Sequence, residues 1–209
     1  MPLTLIAENV SLERGGRRLL AGLSFSVAAG EALLVTGPNG AGKTTLVRAV
    51  AGHIAPATGS IRLEGASGER RLGEYCHAIG HANATKPAMT VAENVDFWAR
   101  FLGGDPGRTT AALERLGLAA LADIPAGYLS AGQKRRLGLA RLLVAERPIW
   151  LLDEPTVSLD SRSVGLLAEA IGAHRAAGGM VMAATHLDLG LAGARELHIG
   201  PSRRHEAGD

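Results

Sequence analysis

Residues 37–45 read GPNGAGKTT, a run that joins three glycines to a lysine and two hydroxyls. Gly37 and Gly42 stand five apart and are followed by Lys43 and Thr44, the spacing of a loop that wraps a nucleotide's phosphates. Glycine lets such a loop turn its amide N–H groups inward, and a helix that starts there adds about half a positive charge at its N-terminus. Gly37, Pro38, Asn39, Gly40, Ala41, Gly42, Lys43, Thr44 and Thr45 are therefore expected to bind phosphates. Lys43 is placed to reach the β- and γ-phosphates, and the Thr44 hydroxyl to ligate Mg²⁺.

Residues 149–154, IWLLDE, end an apolar run in two carboxylates. Asp153 is expected to hold a magnesium-bound water and Glu154 to act as general base beside the γ-phosphate. A carboxylate in reach of the proton it accepts contributes about 10² to 10⁴ in rate. Alone, the pair could equally cap a strand end. Residues 129–133, LSAGQ, place Ser130 to cap the helix that follows, so that its first amides face an anion outside the chain's own phosphate loop. His186 follows the apolar run MVMAAT. A single histidine after a strand is more often structural; its weight comes from the order of the whole set. Cys76-His77 reads as a strand edge and not as a haem-ligand pair, because no further ligand accompanies it.

These groups need strand ends and helix starts to hold them. Residues 3–7 and 23–27 have β character, with turn chemistry at Arg14-Gly15-Gly16-Arg17 and Ala28-Ala29-Gly30, which predicts antiparallel strands. Residues 31–36 form a short strand into the glycine loop and residues 45–54 a helix, while IRLEG (61–65) adds a further strand. Amphipathic segments at 91–102, 109–122 and 131–144 predict a helical lobe. The continuous apolar runs at 149–152 and 180–184, joined by a crossover helix at 163–174, predict buried parallel strands. The class is α/β, in one domain over 1–209. Its core and β subdomain lie at 1–80 and 146–200, its helical lobe at 82–145 and a loose polar tail at 201–209.

Composition narrows the function classes. With 28 glycines and only 3% aromatic residues, the 209-residue chain suits an α/β protein rich in tight turns. A net charge of +2 spread over short basic clusters, among them Lys134-Arg135-Arg136, is not a nucleic-acid footprint, and no nucleic-acid partner is expected. The single cysteine rules out an internal disulfide and fits a reducing compartment. No signal peptide is expected, and no uncharged apolar run reaches the roughly 18 residues needed to cross a bilayer. Direct membrane insertion is not expected, so any membrane role must run through a partner.

LSAGQ just upstream of the DE strand, with GPNGAGKTT before it, resembles the ATP-binding cassette signature LSGGQ, Ala131 replacing one glycine. The resemblance covers nearly the whole chain. It implies a P-loop NTPase cassette with a RecA-like core, an antiparallel β subdomain and a helical subdomain. It also implies ATP hydrolysis with Mg²⁺, and a homodimer paired head to tail in which Ser130, Gly132 and Gln133 close over the ATP of the other chain. Ser158-Leu159-Asp160 matches the family's inter-subunit loop, which puts Asp160 beside the shared nucleotide, and His186 matches its γ-phosphate-sensing histidine. Two positions depart from the pattern. His81 stands where the family carries a glutamine that contacts Mg²⁺ and the attacking water, and Arg14 where many members stack an aromatic ring on adenine. A guanidinium plane can also stack on a base, where an aromatic contact is worth about 1–3 kcal/mol.

His81, the run TVAENVDFWARFLG and the run DIPAGYLSAGQKRRLGLARL together resemble the ATP-binding subunits of cytochrome c maturation haem exporters. This implies a peripheral ATPase at the cytoplasmic face of the bacterial inner membrane, docked on integral membrane permease subunits. Its turnover would release haem-loaded chaperone. Residues 77–100 are the expected docking segment, with Trp98 and Phe101 as anchors, although an aromatic pair three apart is more often core. The alternatives are the ATPase of another exporter, for a drug, lipid or polysaccharide, and a soluble cassette acting on ribosomes or DNA. Soluble cassettes usually carry two cassettes or a long coiled-coil insertion, and the sequence has neither.

Overall fold

The computed structural model describes residues 2–67, 70–186 and 189–200. The expected tail at 201–209 lies outside them. The chain opens with β1 (Thr4–Arg14) and β2 (Arg17–Ala28), joined by Gly15 and Gly16 at φ 58° and 72°. Two central residues with positive φ make the tight turn whose twist matches paired strands. β1 also pairs with β4 (Thr58–Glu64), giving an antiparallel sheet in the order β2-β1-β4. The hairpin is longer than the two apolar pieces suggested. Irregularities between Ala7 and Val10, with Asn9 at φ 50°, break the period-two pattern without ending the strand.

A five-stranded parallel sheet carries the rest of the core. It comprises β3 (Ala32–Thr36), β5 (Cys76–Ile79), β6 (Ile149–Asp153), β7 (Met180–Ala184) and β8 (Arg195–His198), in the order β5-β6-β7-β3-β8. Every residue of β6 and β7 is buried, as the continuous apolar runs require of strands covered on both faces. Cys76 and His77 do open an edge strand, β5. The other edge, β8, reads RELH and is mostly exposed, so no apolar run announced it.

α1 (Lys43–Val50) follows the glycine loop, and α5 (Ser161–Ala176) crosses over between β6 and β7. α1 starts two residues earlier than expected and ends four earlier, with the chain turning through Gly52 at φ 76°. The helical region holds α2 (Val91–Phe101), α3 (Thr109–Arg115) and α4 (Ala131–Val144). The single helix expected over 109–122 stops at Arg115 because Gly117 takes a left-handed φ of 63°, after which a 3₁₀ turn forms at Ala119–Leu121. Reciprocal capping fixes two helix starts: Thr90 with Glu93 on α2, and Ser130 with Gln133 on α4.

Two apolar cores meet at β6. Ile149 and Leu151 face the cluster beneath α1 and the antiparallel sheet, with Leu5, Leu12 and Leu46. Trp150 and Leu152 face the cluster under the helical lobe, with Val95, Leu113 and Leu139. Among the described residues no helix is long and apolar enough to cross a membrane.

The buried His77 makes the fold acid-sensitive. Its ring is 3% exposed and Nε2 donates to the Ala145 carbonyl at 2.7 Å; burial pushes its pKa from 6.5 down to about 4. The neighbouring Cys76 thiol, donating to Leu72 O, is pushed up by burial to about 12. Above the unfolded pKa both folded and unfolded states keep His77 neutral; between 6.5 and 4 only the unfolded chain takes up the proton, so stability falls as pH drops. At pH 5 this one residue removes about 2 kcal/mol, or about 4–8 °C in Tm. Thermal melts at pH 7.5 and 5 should show His77→Gln losing less stability on acidification than the parent protein.

Candidate nucleotide site

Four strands of the parallel sheet deliver their next residues to one edge. β3 ends at Thr36 before the glycine loop, β6 at Asp153, β7 at Ala184 two residues before His186, and β5 at Ile79 two residues before His81. The register pairs Asp153 with Ala184, Val35 with Ala184 and Ile79 with Leu152, so these ends lie level. Ligands of open α/β sheets bind at such carboxyl ends. Arg14, Asn39, Gly40, Gly42, Lys43, Thr44, Thr45, His81, Glu154 and His186 line one cavity of about 650 Å³ there. Leu19, Arg48 and Val157, which no motif had singled out, complete its walls.

The loop is built around close approach. A Cβ on Gly37, at φ 136°, would lie 1.9 Å from the Ile199 carbonyl oxygen, so only glycine fits. Lys43 folds back into the loop, its Nζ donating to Gly37 O at 2.7 Å and to Pro38 O at 3.2 Å. Ala41 is buried and its N–H donates to Pro38 O. Gly37, Pro38 and Ala41 thus shape the loop without lining the cavity.

The acid pair sits opposite. Asp153 is 3% exposed; Thr44 Oγ1 donates to its Oδ1 at 3.1 Å, and His81 Nε2 lies 3.8 Å from its Oδ2. A hydroxyl and a carboxylate side by side are hard oxygen donors that fit Mg²⁺, a cation usually held by one or two carboxylates plus phosphates and water. Among the described residues there is no cluster of three or more His, Cys, Asp or Glu able to hold a metal by side chains alone. Glu154 adopts φ 47°, a left-handed conformation costing a side-chain-bearing residue about 1–3 kcal/mol. Its Oε1 lies 3.4 Å from His186 Nε2.

His186 Nε2 is also 2.8 Å from Lys43 Nζ and 2.8 Å from Asn39 Oδ1. An ammonium only donates, so Nε2 accepts from Lys43 when it carries no proton. When it carries one, it donates towards Asn39 or Glu154. The ring can face either a cation or an acceptor without moving.

The signature residues stand apart from this cavity. Ser130 Oγ accepts from the Gln133 N–H at 3.2 Å, and Gln133 Oε1 accepts from the Ser130 N–H at 2.8 Å. Gly132 packs where a Cβ would meet the Ser158 carbonyl at 2.7 Å. A smaller hollow of about 200 Å³ joins Ala131, Lys134 and Ser158 to His81. Ser130, Gly132, Gln133 and Asp160 are all absent from the walls of the large cavity. Asp160 caps α5, accepting from the Ser163 N–H at 2.8 Å, and the bonds to Ser163 hold its pKa below the usual value. Within one chain its carboxylate therefore serves the helix. A second large cavity, about 550 Å³, opens beside Arg147, Trp150 and His174 and contains none of the motif residues.

The ABC transporter family model matches residues 20–157, which span the glycine loop, the signature and the acid pair. The chain belongs to this family. The cytochrome c biogenesis ATP-binding export protein CcmA of Rhodopseudomonas palustris (strain BisB5) is 52% identical over 187 residues, covering 90% of this chain and 93% of its own. The protein of the same description from Rhizobium meliloti (strain 1021) is 52% identical over 200 residues, covering 93% and 97%. Among solved structures, a Pyrococcus furiosus ATP-binding protein of the ABC transporter class superposes with a TM-score of 0.80 at 21% identity, covering 94% of this chain and 97% of its own. An ATP-binding cassette of an ABC transporter in its ADP conformation gives 0.73 at 24%, covering 90% and 83%. At such identities the structures establish the fold alone, that of the cassette; the family and the half-identical relatives make the chain an ATPase.

Two glycine substitutions should separate packing from backbone strain in the loop. Gly40, at φ 80°, has nothing within 4 Å of where a methyl group would sit, so Gly40→Ala should cost about 1–2 kcal/mol. Gly37→Ala meets a backbone carbonyl and should cost at least about 3 kcal/mol and abolish ATP binding. Urea unfolding and equilibrium ATP binding on both variants check the difference.

Proposed function

We propose that this ATPase powers an export step of cytochrome c biogenesis, bound to integral membrane permease subunits at the cytoplasmic face of the bacterial inner membrane. The observation that carries the proposal is one cavity uniting Lys43, Thr44, Glu154 and His186, in a chain half identical to proteins named CcmA. The work step is closure and reopening of a homodimer around ATP, coupled to release of haem-loaded chaperone.

The amides of residues 37–45 hold the phosphates, and Lys43 leaves its loop carbonyls to meet the β- and γ-phosphates. Thr44 and Asp153 would hold Mg²⁺, which would neutralise charge on the phosphate oxygens. Glu154 accepts the proton of the attacking water as its oxygen bonds to the γ-phosphorus; the bond to the ADP oxygen breaks, and ADP and phosphate leave. His186 and Lys43 hold the γ-phosphate, and His81 orients the water. Arg14 supplies a plane on which adenine stacks. Ser130, Gly132 and Gln133 close over the partner's ATP, a reading supported by the match of LSAGQ to the family signature and by the absence of these three residues from the walls of this chain's own cavity.

The docking surface is a groove of about 330 Å³ between the end of α1 and α2, lined by His53, His77, Trp98, Leu102 and Arg141. Trp98 is fixed there, its indole N–H donating to Ala84 O at 3.1 Å with the Arg141 guanidinium 5.0 Å over its ring. Phe101, expected more often as core, is 69% exposed beside it and offers an apolar anchor.

Glu154→Gln should lower kcat by about 10² to 10⁴ while ATP affinity stays within a few-fold. Specific activity should fall on dilution; activity independent of concentration down to separated monomers would sink the shared site. The native chain should co-purify from membranes with integral partners, and recovery of soluble monomer alone would sink the docking proposal.

A further inference from the structure

α4 leaves the signature turn and sends Arg135 inward. The residue is 3% exposed and its guanidinium donates to five acceptors. Nε meets Pro155 O at 3.0 Å, while Nη2 meets Asp153 O at 3.2 Å and Glu154 O at 2.8 Å. Nη1 meets Gly80 O at 2.7 Å and Asn83 Oδ1 at 3.2 Å. Three acceptors are consecutive carbonyls of the turn that carries Glu154. The other two flank His81.

A buried cation is costly unless its donors are satisfied, and an apolar residue of similar length would fill the same space without that cost. No ion pair with a carboxylate relieves Arg135 among the described residues; Asp153 acts on it only through space. What the guanidinium achieves is geometric. Its planar fork gathers carbonyls that would otherwise repel one another, and it does so at the left-handed φ of Glu154. It also begins two residues after Gln133, on the helix whose first turn faces the partner's nucleotide in the dimer proposed above.

We propose that Arg135 is a positioning residue for hydrolysis: it locks the Glu154 turn to the His81 segment and ties both to the signature helix. Glu154 is then in register for the attacking water only while α4 is seated. One chain's signature contact with its partner's ATP is thereby linked to the base of its own site. This rests on the assignment of Glu154 as general base.

The test uses Arg135→Gln and Arg135→Lys in the full chain, assayed with its co-purified membrane partners. Arg135→Gln should lower kcat about 10- to 100-fold with KM for ATP changed less than about threefold, and Arg135→Lys, which keeps the charge but loses the fork, should fall between it and the parent. Amide hydrogen exchange should rise at residues 80–83 and 154–157 in both variants. Because Arg135 acts through Glu154, Arg135→Lys should slow the residual turnover of Glu154→Gln by less than about twofold. If Arg135→Gln does not fold, Arg135→Lys carries the test alone. An unchanged kcat in Arg135→Lys, or a full additional loss in the Glu154→Gln background, would overturn the proposal. Normal turnover by Glu154→Gln itself would instead remove the base assignment on which it rests.

Discussion

The register of β6 between β5 and β7 is the constraint on which the rest depends. Its alternate side chains feed two different cores, Ile149 and Leu151 into one, Trp150 and Leu152 into the other. A slip of one residue would exchange the two faces and carry Asp153 away from Thr44. The burial that stabilises the sheet therefore also sets the acid pair against the phosphate loop, and chemistry at the strand end inherits the rigidity of the most buried strands in the molecule.

Arginine N–H groups as well as apolar packing tie the helical lobe to that sheet. Arg135 bonds the carbonyls beyond β5 and β6, Arg141 donates to Ala78 O on β5, and Arg136 turns the other way to Leu116 O and Gly117 O behind α3. Burial lowers the Arg141 pKa to about 10, which leaves it cationic at neutral pH. Those directional bonds run from the lobe to the ends of the strands that carry Glu154 and His81.

Much of this was legible in the residue pattern, and the parts that were not have physical reasons. The phosphate loop, the acid pair and the Ser130 cap are local: each needs only a spacing and one adjacent element. Asn39, Gly40, Gly42, Lys43, Thr44 and Thr45 share the cavity with Glu154, Asp153 bonds Thr44 at its edge, and the cap forms as its spacing predicts. The edge strand β8 escaped because a four-residue strand as polar and exposed as RELH carries no apolar signal, whereas β5 was legible only at its first two residues, Cys76 and His77. The cap that Asp160 places on α5 was not foreseen, because the family pattern drew attention only to its position beside the shared nucleotide. Lys134-Arg135-Arg136 looks like a solvated basic run. The available signal was helical phase: position 135 shares a face with Leu139 and Leu142, both buried.

The central claim is that the cavity at the sheet edge is half of a site completed by the signature of a second chain. Mixing two inactive variants tests it most directly. Chains carrying Lys43→Ala keep the signature, and chains carrying Ser130→Arg keep the phosphate loop. Each alone should hydrolyse ATP at background. An equal mixture, in which half of the dimers are mixed and each of those has one intact site, should recover about one quarter of the parent rate. Failure to recover activity at any mixing ratio, with both variants still dimerising, would contradict a site shared between chains.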